Sequence, residues 1–495
     1  MKLALVSYIQ YTEPLGILAL AAYLEKYAAD WDLEIAFFDA SDPAAGARIA
    51  VFAPDMVGYS VHTGEHTKAL QLNRDLKARL GFVSVFGGPH ATFFPDLIKQ
   101  EGVDVIVRGE GEAALLDLLG AWSEGGLKDF NIPNCWIKTP GGEIVQNPLG
   151  QSLLDLSESP FSDRRLVYDS NYFLREGGMK SFMTSRGCPY SCTYCYNYKI
   201  NEMYSGKFVR LMSPERMVSE ISLIKSLYRL SFVWFLDDIF AFKKEWLRNF
   251  SVLYRENIGV PFNCNLRANL VSGEIVDLLK EAGCVSVSLA IEHGDHEYRK
   301  NRLNRDLSDE TIIRAVQTIK ARGLIVGCQN MIGLPGSDLN QDIKTVELNA
   351  RAGVDNPIVH VFQPYPGTKL GDQCIQEASF DGNFDLVPDS TYDESILAGS
   401  GQRIRKMHDY FPFLVRCSFL RRKEIVRLLF RLPKLPLSRL AYFVFKYFAY
   451  RRTFPIKEPM RLRLKRVAII LTKGVFGKLF QRGGRAWSAG PWSRA

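Results

Sequence analysis

Cys188, Cys192 and Cys195 stand in the stretch Met-Thr-Ser-Arg-Gly-Cys-Pro-Tyr-Ser-Cys-Thr-Tyr-Cys that ends at residue 195. Their C-x3-C-x2-C spacing brings three soft ligands into one loop. Thiolates this close suit iron–sulfur clusters, zinc or copper(I) rather than hard cations. A cubane iron–sulfur cluster normally takes four cysteines. Three leave one iron without a protein ligand, and an open coordination position is where a metal does chemistry. Structural zinc usually needs a second ligand pair. None follows Cys195, and the seven histidines are scattered. The other six cysteines are dispersed, as buried thiols of a reducing compartment are. A cluster is therefore expected, with zinc as its rival.

With an aromatic residue before its last cysteine, this motif resembles the signature of the radical S-adenosylmethionine (SAM) enzymes. The resemblance implies that Cys188, Cys192 and Cys195 ligate a [4Fe–4S] cluster whose open iron is chelated by SAM. An electron from the cluster then cleaves SAM to a 5′-deoxyadenosyl radical. Tyr194 takes the aromatic position near the adenine. Asp237 and Asp238 end a strand where the family holds the SAM amino group, and an ammonium needs an anionic partner. Arg267 is expected to pair with the SAM carboxylate. Glu292 contacts SAM, while His293 replaces the family's usual serine.

These residues need a scaffold. Hydrophobic content of 47% and charged content of 23% fit a folded globular chain, and 495 residues exceed one core. Residues 3–7, 33–38, 56–61, 83–87 and 103–107 read as strands with helical segments between them. That alternation predicts a doubly wound parallel sheet, which binds ligands beyond its strand carboxyl ends. The loops there contain Ser60, Gly87, Gly88, His90, Gly109 and Gly111. Glycine lets backbone approach a ligand closely. No G-x-G-x-x-G follows the first strand, which counts against NAD or FAD.

Pro14-Leu-Gly16, Gly-Gly-Pro-His-Ala-Thr ending at residue 92 and Arg-Gly-Glu-Gly-Glu ending at residue 112 resemble the cobalamin (B12)-binding domain that precedes a radical SAM domain in a large family. The resemblance implies a flavodoxin-like domain over 1–145, with the six loop residues above contacting cobalamin. The D-x-H-x-x-G motif that ligates cobalt in methionine synthase-like domains is absent.

Residues 146–178 read as a turn-rich linker. Six strand–helix units follow over 179–400, with strands near 180–186, 232–236, 261–265, 285–291, 324–332 and 358–362. Polar residues at their carboxyl ends match a parallel barrel with its site there, and the family has a partial (β/α)6 TIM-type barrel.

The resemblance implies a B12-dependent radical SAM methyltransferase. It adds a methyl group to an unactivated carbon by way of the adenosyl radical and methylcobalamin. Two alternatives stay open: a cyclase or rearrangement enzyme without net methyl transfer, and a non-catalytic cobalamin sensor. The expected partners are a small-molecule substrate and an electron donor such as flavodoxin or ferredoxin.

Residues 401–495 carry 24 Lys+Arg against 3 Asp+Glu, whereas residues 1–400 carry 38 against 51. Apolar and aromatic runs at 437–450 and 467–480 interleave with this charge and are too short to span a bilayer. A basic amphipathic helical region of this kind lies on anionic membrane surfaces, which would suit a hydrophobic or lipid substrate. A helical cap over the barrel is the competing expectation, and nucleic acid ranks below both. Residues 3–8 are too short and end too polar for a secretory signal, so the chain is expected in the cytoplasm, at most peripheral to the membrane.

Overall fold

A computed structural model describes residues 1–469, apart from short segments at 10–11, 127–129, 151–152, 241–242, 390–391, 393–394, 398–400 and 434–437. The run expected at 467–480 lies outside the described residues from 470 onward.

The first sheet contains β1 (Lys2–Ser7), β2 (Glu34–Asp39), β3 (Met56–Ser60), β4 (Val83–Gly87), β5 (Val105–Val107), β6 (Cys135–Lys138) and β7 (Ile144–Gln146). Their order is β2-β1-β3-β4-β5-β6-β7. The first five are parallel and the last two antiparallel. Alternate residues of β1 enter two separate cores: Leu3 and Leu5 pack on one face, Ala4 and Val6 on the other. Burial on both faces is why these strands read as apolar runs. The last two strands, β6 and β7, escaped the sequence reading, because three or four residues of mixed polarity carry no period.

The strand order reverses at β1, which lies between β2 and β3. The crevice beyond the strand ends at this reversal is where such sheets bind ligands.

A short hairpin of β9 (Ser185–Arg186) and β10 (Arg210–Leu211) brackets the cysteine loop. The second large sheet adds β8 (Met179–Phe182), β11 (Phe232–Phe235), β12 (Phe262–Asn265), β13 (Cys284–Glu292), β14 (Ile325–Ile332) and β15 (Asn356–Val361). It is all parallel, in the order β15-β14-β13-β12-β11-β8. This is the six-unit partial barrel. Its outer helices start on side-chain caps: Ser272 accepts from Ile275 N at 3.3 Å, and Asp338 closes a capping box with Gln341. Val287, Leu289 and Ile291 face that outer core, so alternate β13 residues face the interior.

The six strands leave a gap between β15 and β8. The C-terminal region is helical and packs there. The helix Gly401–Arg416 covers the outside of β15. The helix Ser438–Thr453 reaches β14 and β15 on one side, while Tyr450 lies 3.8 Å from Met179 Sδ of β8 on the other. Residues 453–456 then cross the floor of the barrel. Ser286 Oγ donates to Thr453 O at 2.7 Å, Asn356 Nδ2 to Thr453 Oγ1 at 3.1 Å, and Phe454 meets Phe232 and Trp234 edge-on. The cap expected over the barrel is thus a filler of its flank and floor. Among the described residues, no helix is long and apolar enough to cross a membrane.

Candidate functional site between the two sheets

The cysteine loop leaves β9 and is held from outside. Thr193 N donates to Leu303 O at 3.1 Å, and Thr193 Oγ1 to Arg302 O at 2.6 Å. Two guanidiniums converge on Cys192: Arg267 Nη1 lies 3.5 Å and Arg305 Nη1 3.9 Å from its sulfur. Both arginines are buried, and the Nε atom of each has no partner. Arg267 also stacks on Tyr190, its guanidinium carbon 3.9 Å from the ring centre. Paired cations of this kind place positive charge beside a sulfur that would bind metal. Burial pushes the Cys188 thiol up to about 11 and that of Cys195 up to about 12.

Among the described residues, no trio of His, Cys, Asp or Glu is gathered closely enough for one metal ion. Three cysteines in one loop beside two buried guanidiniums are a donor set that fits an anionic iron–sulfur cluster.

Tyr194 Oη donates to Glu292 Oε1 at 2.9 Å. Burial raises the Glu292 carboxyl, and Arg305, Tyr194 and Arg267 oppose that rise. Glu292 has φ of 68°, at a register shift where β13 meets β14. A left-handed glutamate at a strand end is a strained position of the kind that gathers at functional sites. Arg305 was not found by sequence reasoning, since nothing in its local sequence marks it. His293 is fully buried and packs on Tyr298, with ring centres 4.3 Å apart.

The two aspartates expected to share the SAM amino group part company. Asp237 is fully buried and accepts from Thr184 N at 2.9 Å, from Thr184 Oγ1 at 2.8 Å and from Ser185 Oγ. Burial pushes its carboxyl up to about 6 against those bonds. It anchors the strand that leads into the cysteine loop. Asp238 is exposed on a cavity wall; the surrounding protein raises its carboxyl, and a bond from Asn197 opposes. Adjacent strand-end residues point opposite ways, so only one of the two reaches the cavity.

That cavity lies between the two sheets and holds about 1820 Å³ of empty space, its open mouth included. One wall is the carboxyl edge of the first sheet: Ser60, Gly87, Gly88, Gly109 and Gly111. The facing wall includes Ser185, Gly187 and Asp238 beside the cysteine loop. Gly88 has φ of 87°, and a Cβ there would sit 2.9 Å from backbone atoms of Val61. This bare wall suits a bulky ligand recognised by shape, as cobalamin is.

His90, expected among the cobalamin contacts, is a correction. It is buried and absent from the cavity wall. Its ring stacks on His66 at 3.8 Å, and its Nδ1 lies 2.9 Å from Thr63 Oγ1. The turn at Gly88 carries the next helix backward, which takes residue 90 into the core.

The Arg-Gly-Glu-Gly-Glu loop does more than line the cavity. Glu110 pairs with Arg186 and with Arg210, each at 2.5 Å, and Glu112 pairs with Arg186 at 2.5 Å. Tyr204 Oη accepts from Glu110 N at 3.2 Å. Gly109, at φ of 75°, makes room for that ring: a Cβ would lie 2.1 Å from Tyr204 Oη. The loop thus straps the first sheet to the hairpin that holds the cysteines. A second seam joins Glu13 to Arg164 at 3.2 Å and to Tyr168 Oη at 2.7 Å, all buried.

Residues 1–119 match the family described as "B12 binding domain", and residues 182–348 match the "Radical SAM superfamily". An uncharacterized methyltransferase of Pyrococcus horikoshii is 27% identical over 335 residues, 66% of this chain and 71% of that protein. The anaerobic magnesium-protoporphyrin IX monomethyl ester cyclase of Rubrivivax gelatinosus is 26% identical over 379 residues, 72% of this chain and 65% of the cyclase. The structure of the radical SAM methyltransferase TsrM from Kitasatospora setae, solved with cobalamin and a [4Fe–4S] cluster, superposes with a TM-score of 0.63 at 19% identity, covering 76% of this chain and 75% of that one. That likeness shows a shared fold. The first match covers β1–β5, whose ends form the bare wall, and the second covers the cysteine loop and β11–β14 of the barrel; their cofactors are cobalamin, a [4Fe–4S] cluster and SAM. This chain carries a B12-binding domain followed by a radical SAM domain.

Proposed function

We propose that the protein is a cobalamin-dependent radical SAM methyltransferase acting on an unactivated carbon of a small molecule. The observation that carries this reading is the cavity itself, with the glycine-lined edge of the first sheet on one wall and Asp238 and the cysteine hairpin on the other. A carrier of methyl groups and a source of radicals would thereby meet across one space. When bound, the three cofactors supply the electron, the radical and the methyl group.

The chain's own residues bind and position. Cys188, Cys192 and Cys195 hold the cluster, with Arg267 and Arg305 balancing the charge at Cys192. Tyr194 orients Glu292 toward SAM, and Asp238 offers a carboxylate to its amino group. Ser60, Gly87, Gly88, Gly109 and Gly111 let the corrin lie close to backbone. The units are 1–145 for cobalamin, 146–178 as a linker, 179–400 for the radical chemistry and 401–495 as a basic helical C-terminal region, whose described part fills the flank of the barrel. Flavodoxin or ferredoxin would deliver the electron.

Likeness to the cyclases supports a second reading, in which the same parts close a ring without methyl transfer. Anaerobic incubation with methyl-labelled SAM, a reductant and metabolite extract separates the two. Label in a small molecule together with 5′-deoxyadenosine supports the methyltransferase. 5′-Deoxyadenosine without transferred label supports the cyclase. Absence of both defeats the enzyme reading.

A cytoplasmic location with a peripheral position at the membrane belongs to the same proposal. Phe419, Leu428, Val444, Phe448 and Leu464 are exposed among the arginines and lysines of the C-terminal region. Each cation near an anionic surface contributes about 1 kcal/mol. Full-length protein is expected to co-sediment with anionic vesicles at low salt; protein left in the supernatant would remove the membrane from the proposal.

A further inference from the structure

The helix that fills the barrel flank also furnishes its interior. Val359 and Val361 of β15 face the outer core with Ile404 and Met407, so His360 between them faces inward. His360 pairs in register with Met331, and the neighbouring Asn330 pairs with Glu292. His360 and Glu292 therefore stand at almost the same height on strands two apart, roughly 10 Å from each other at about 4.8 Å per strand spacing.

Around His360 the C-terminal helices assemble a cluster that the radical chemistry does not use. Tyr392 lies 5.4 Å from the His360 ring and 5.8 Å from that of His408. His408 packs on Tyr442 at 4.7 Å and is paired with Asp409 at 3.2 Å. Lys446 enters from the Ser438–Thr453 helix, with its ammonium 3.9 Å from the Tyr392 ring centre and 5.7 Å from that of Tyr442. It is half-buried, and among the described residues no carboxylate or carbonyl pairs with it.

A half-buried ammonium held by ring faces alone is incompletely compensated. Burial pushes Lys446 down to about 8, and burial, Lys446 and His408 together push His360 down to about 4. The ammonium of Lys446 itself has no anionic partner among the described residues, and an oxyanion beside it would supply one.

We propose that Lys446, with His360, Tyr392 and Tyr442 around it, is a substrate subsite that binds a carboxylate or phosphate group. The inference rests on the proposed reading of the chain as a radical SAM enzyme with Glu292 at the SAM site. It narrows the substrate class to molecules whose oxyanion lies roughly two strand spacings from the SAM corner at Glu292. It also makes the basic C-terminal region part of the pocket wall rather than an appended tail.

The test needs no turnover, so its failure is separable from failure of the methyltransferase reading. Full-length cofactor-loaded protein is treated with an amine-acylating reagent, and Lys446 is followed by peptide mass spectrometry. Inorganic phosphate and acetate are compared with chloride at equal ionic strength. At saturating anion, phosphate or acetate is expected to slow acylation of Lys446 about five-fold or more while leaving exposed Lys457 unchanged. Protection by phosphate alone would assign a phosphate group, and by acetate alone a carboxylate. In parallel, phosphate is expected to raise the melting temperature of wild type and of Lys446→Arg by about 2 °C or more, and that of Lys446→Met by less than half as much. Equal acylation in all three salts, an amine sealed from the reagent in chloride, or an undiminished shift in Lys446→Met would overturn the proposal.

Discussion

At its carboxyl edge the first sheet presents Ser60, Gly87, Gly88, Gly109 and Gly111, nearly bare backbone. At the same edge the barrel presents thiols, Glu292, Asp238 and two buried arginines. Both edges belong to sheets whose central strands are parallel, yet one edge is bare backbone and the other is lined with charge. The difference follows the ligands. A large planar corrin rewards close approach, whereas an anionic cluster and a zwitterionic nucleotide need paired charges. The charged residues of the first sheet's edge, Glu110 and Glu112, border the cavity with their charges taken up by the arginines of the cysteine hairpin.

Variants break this contrast in order of effect. Replacing Cys188, Cys192 or Cys195 by alanine should reduce bound iron from about four per chain to near none and abolish 5′-deoxyadenosine, by iron assay and chromatography. A variant that keeps full iron would show that the charged wall does not hold the cluster.

Glu110→Gln leaves Arg186 and Arg210 short of a buried partner. Such a break costs about 3–5 kcal/mol. Calorimetry should show a lower or split transition, the two sheets melting apart; an unchanged single transition would mean that the strap does not join them.

Gly109→Ala adds a Cβ against Tyr204 at a left-handed backbone position. About 1–3 kcal/mol of strain is expected, with weaker cobalamin binding by absorbance titration. Unaltered binding would show that the bare wall tolerates side chains.

The smallest effect depends on pH. Burial, then His66 and His62, push His90 down to about 3 from the usual 6.5. The unfolded chain thus binds its proton first, and stability falls as pH drops below 6.5 toward 3, by about 1.4 kcal/mol per unit. Between pH 7 and 5 the wild type should lose about 2 kcal/mol more than His90→Gln in urea unfolding. Equal losses would remove His90 from the acid response of the first sheet.

Much of the architecture was legible because it is periodic. Apolar runs at helical intervals announce a parallel sheet, and 437–450 reads as an amphipathic helix. The functions of single residues were less so. Asp237 and Asp238 look equivalent in sequence, and only the strand's alternation sends one to the cavity and the other to Thr184. His90 follows two glycines in a motif that invites a ligand, but the Gly88 turn takes it into the core. Glu110 and Glu112 read as cofactor-loop residues because their partners lie 76 and 74 positions away.

From its own order of residues this chain determines a thiol set with an open corner, two strand–helix repeats and a basic end. These are local facts, set by spacing, period and composition. Tertiary packing alone decided that Arg267 and Arg305 meet at Cys192, 75 and 113 positions away, and that Lys446 comes to lie near His360 inside the barrel. Such meetings depend on how the sheets close and where the last helices find room, and no short-range pattern encodes that.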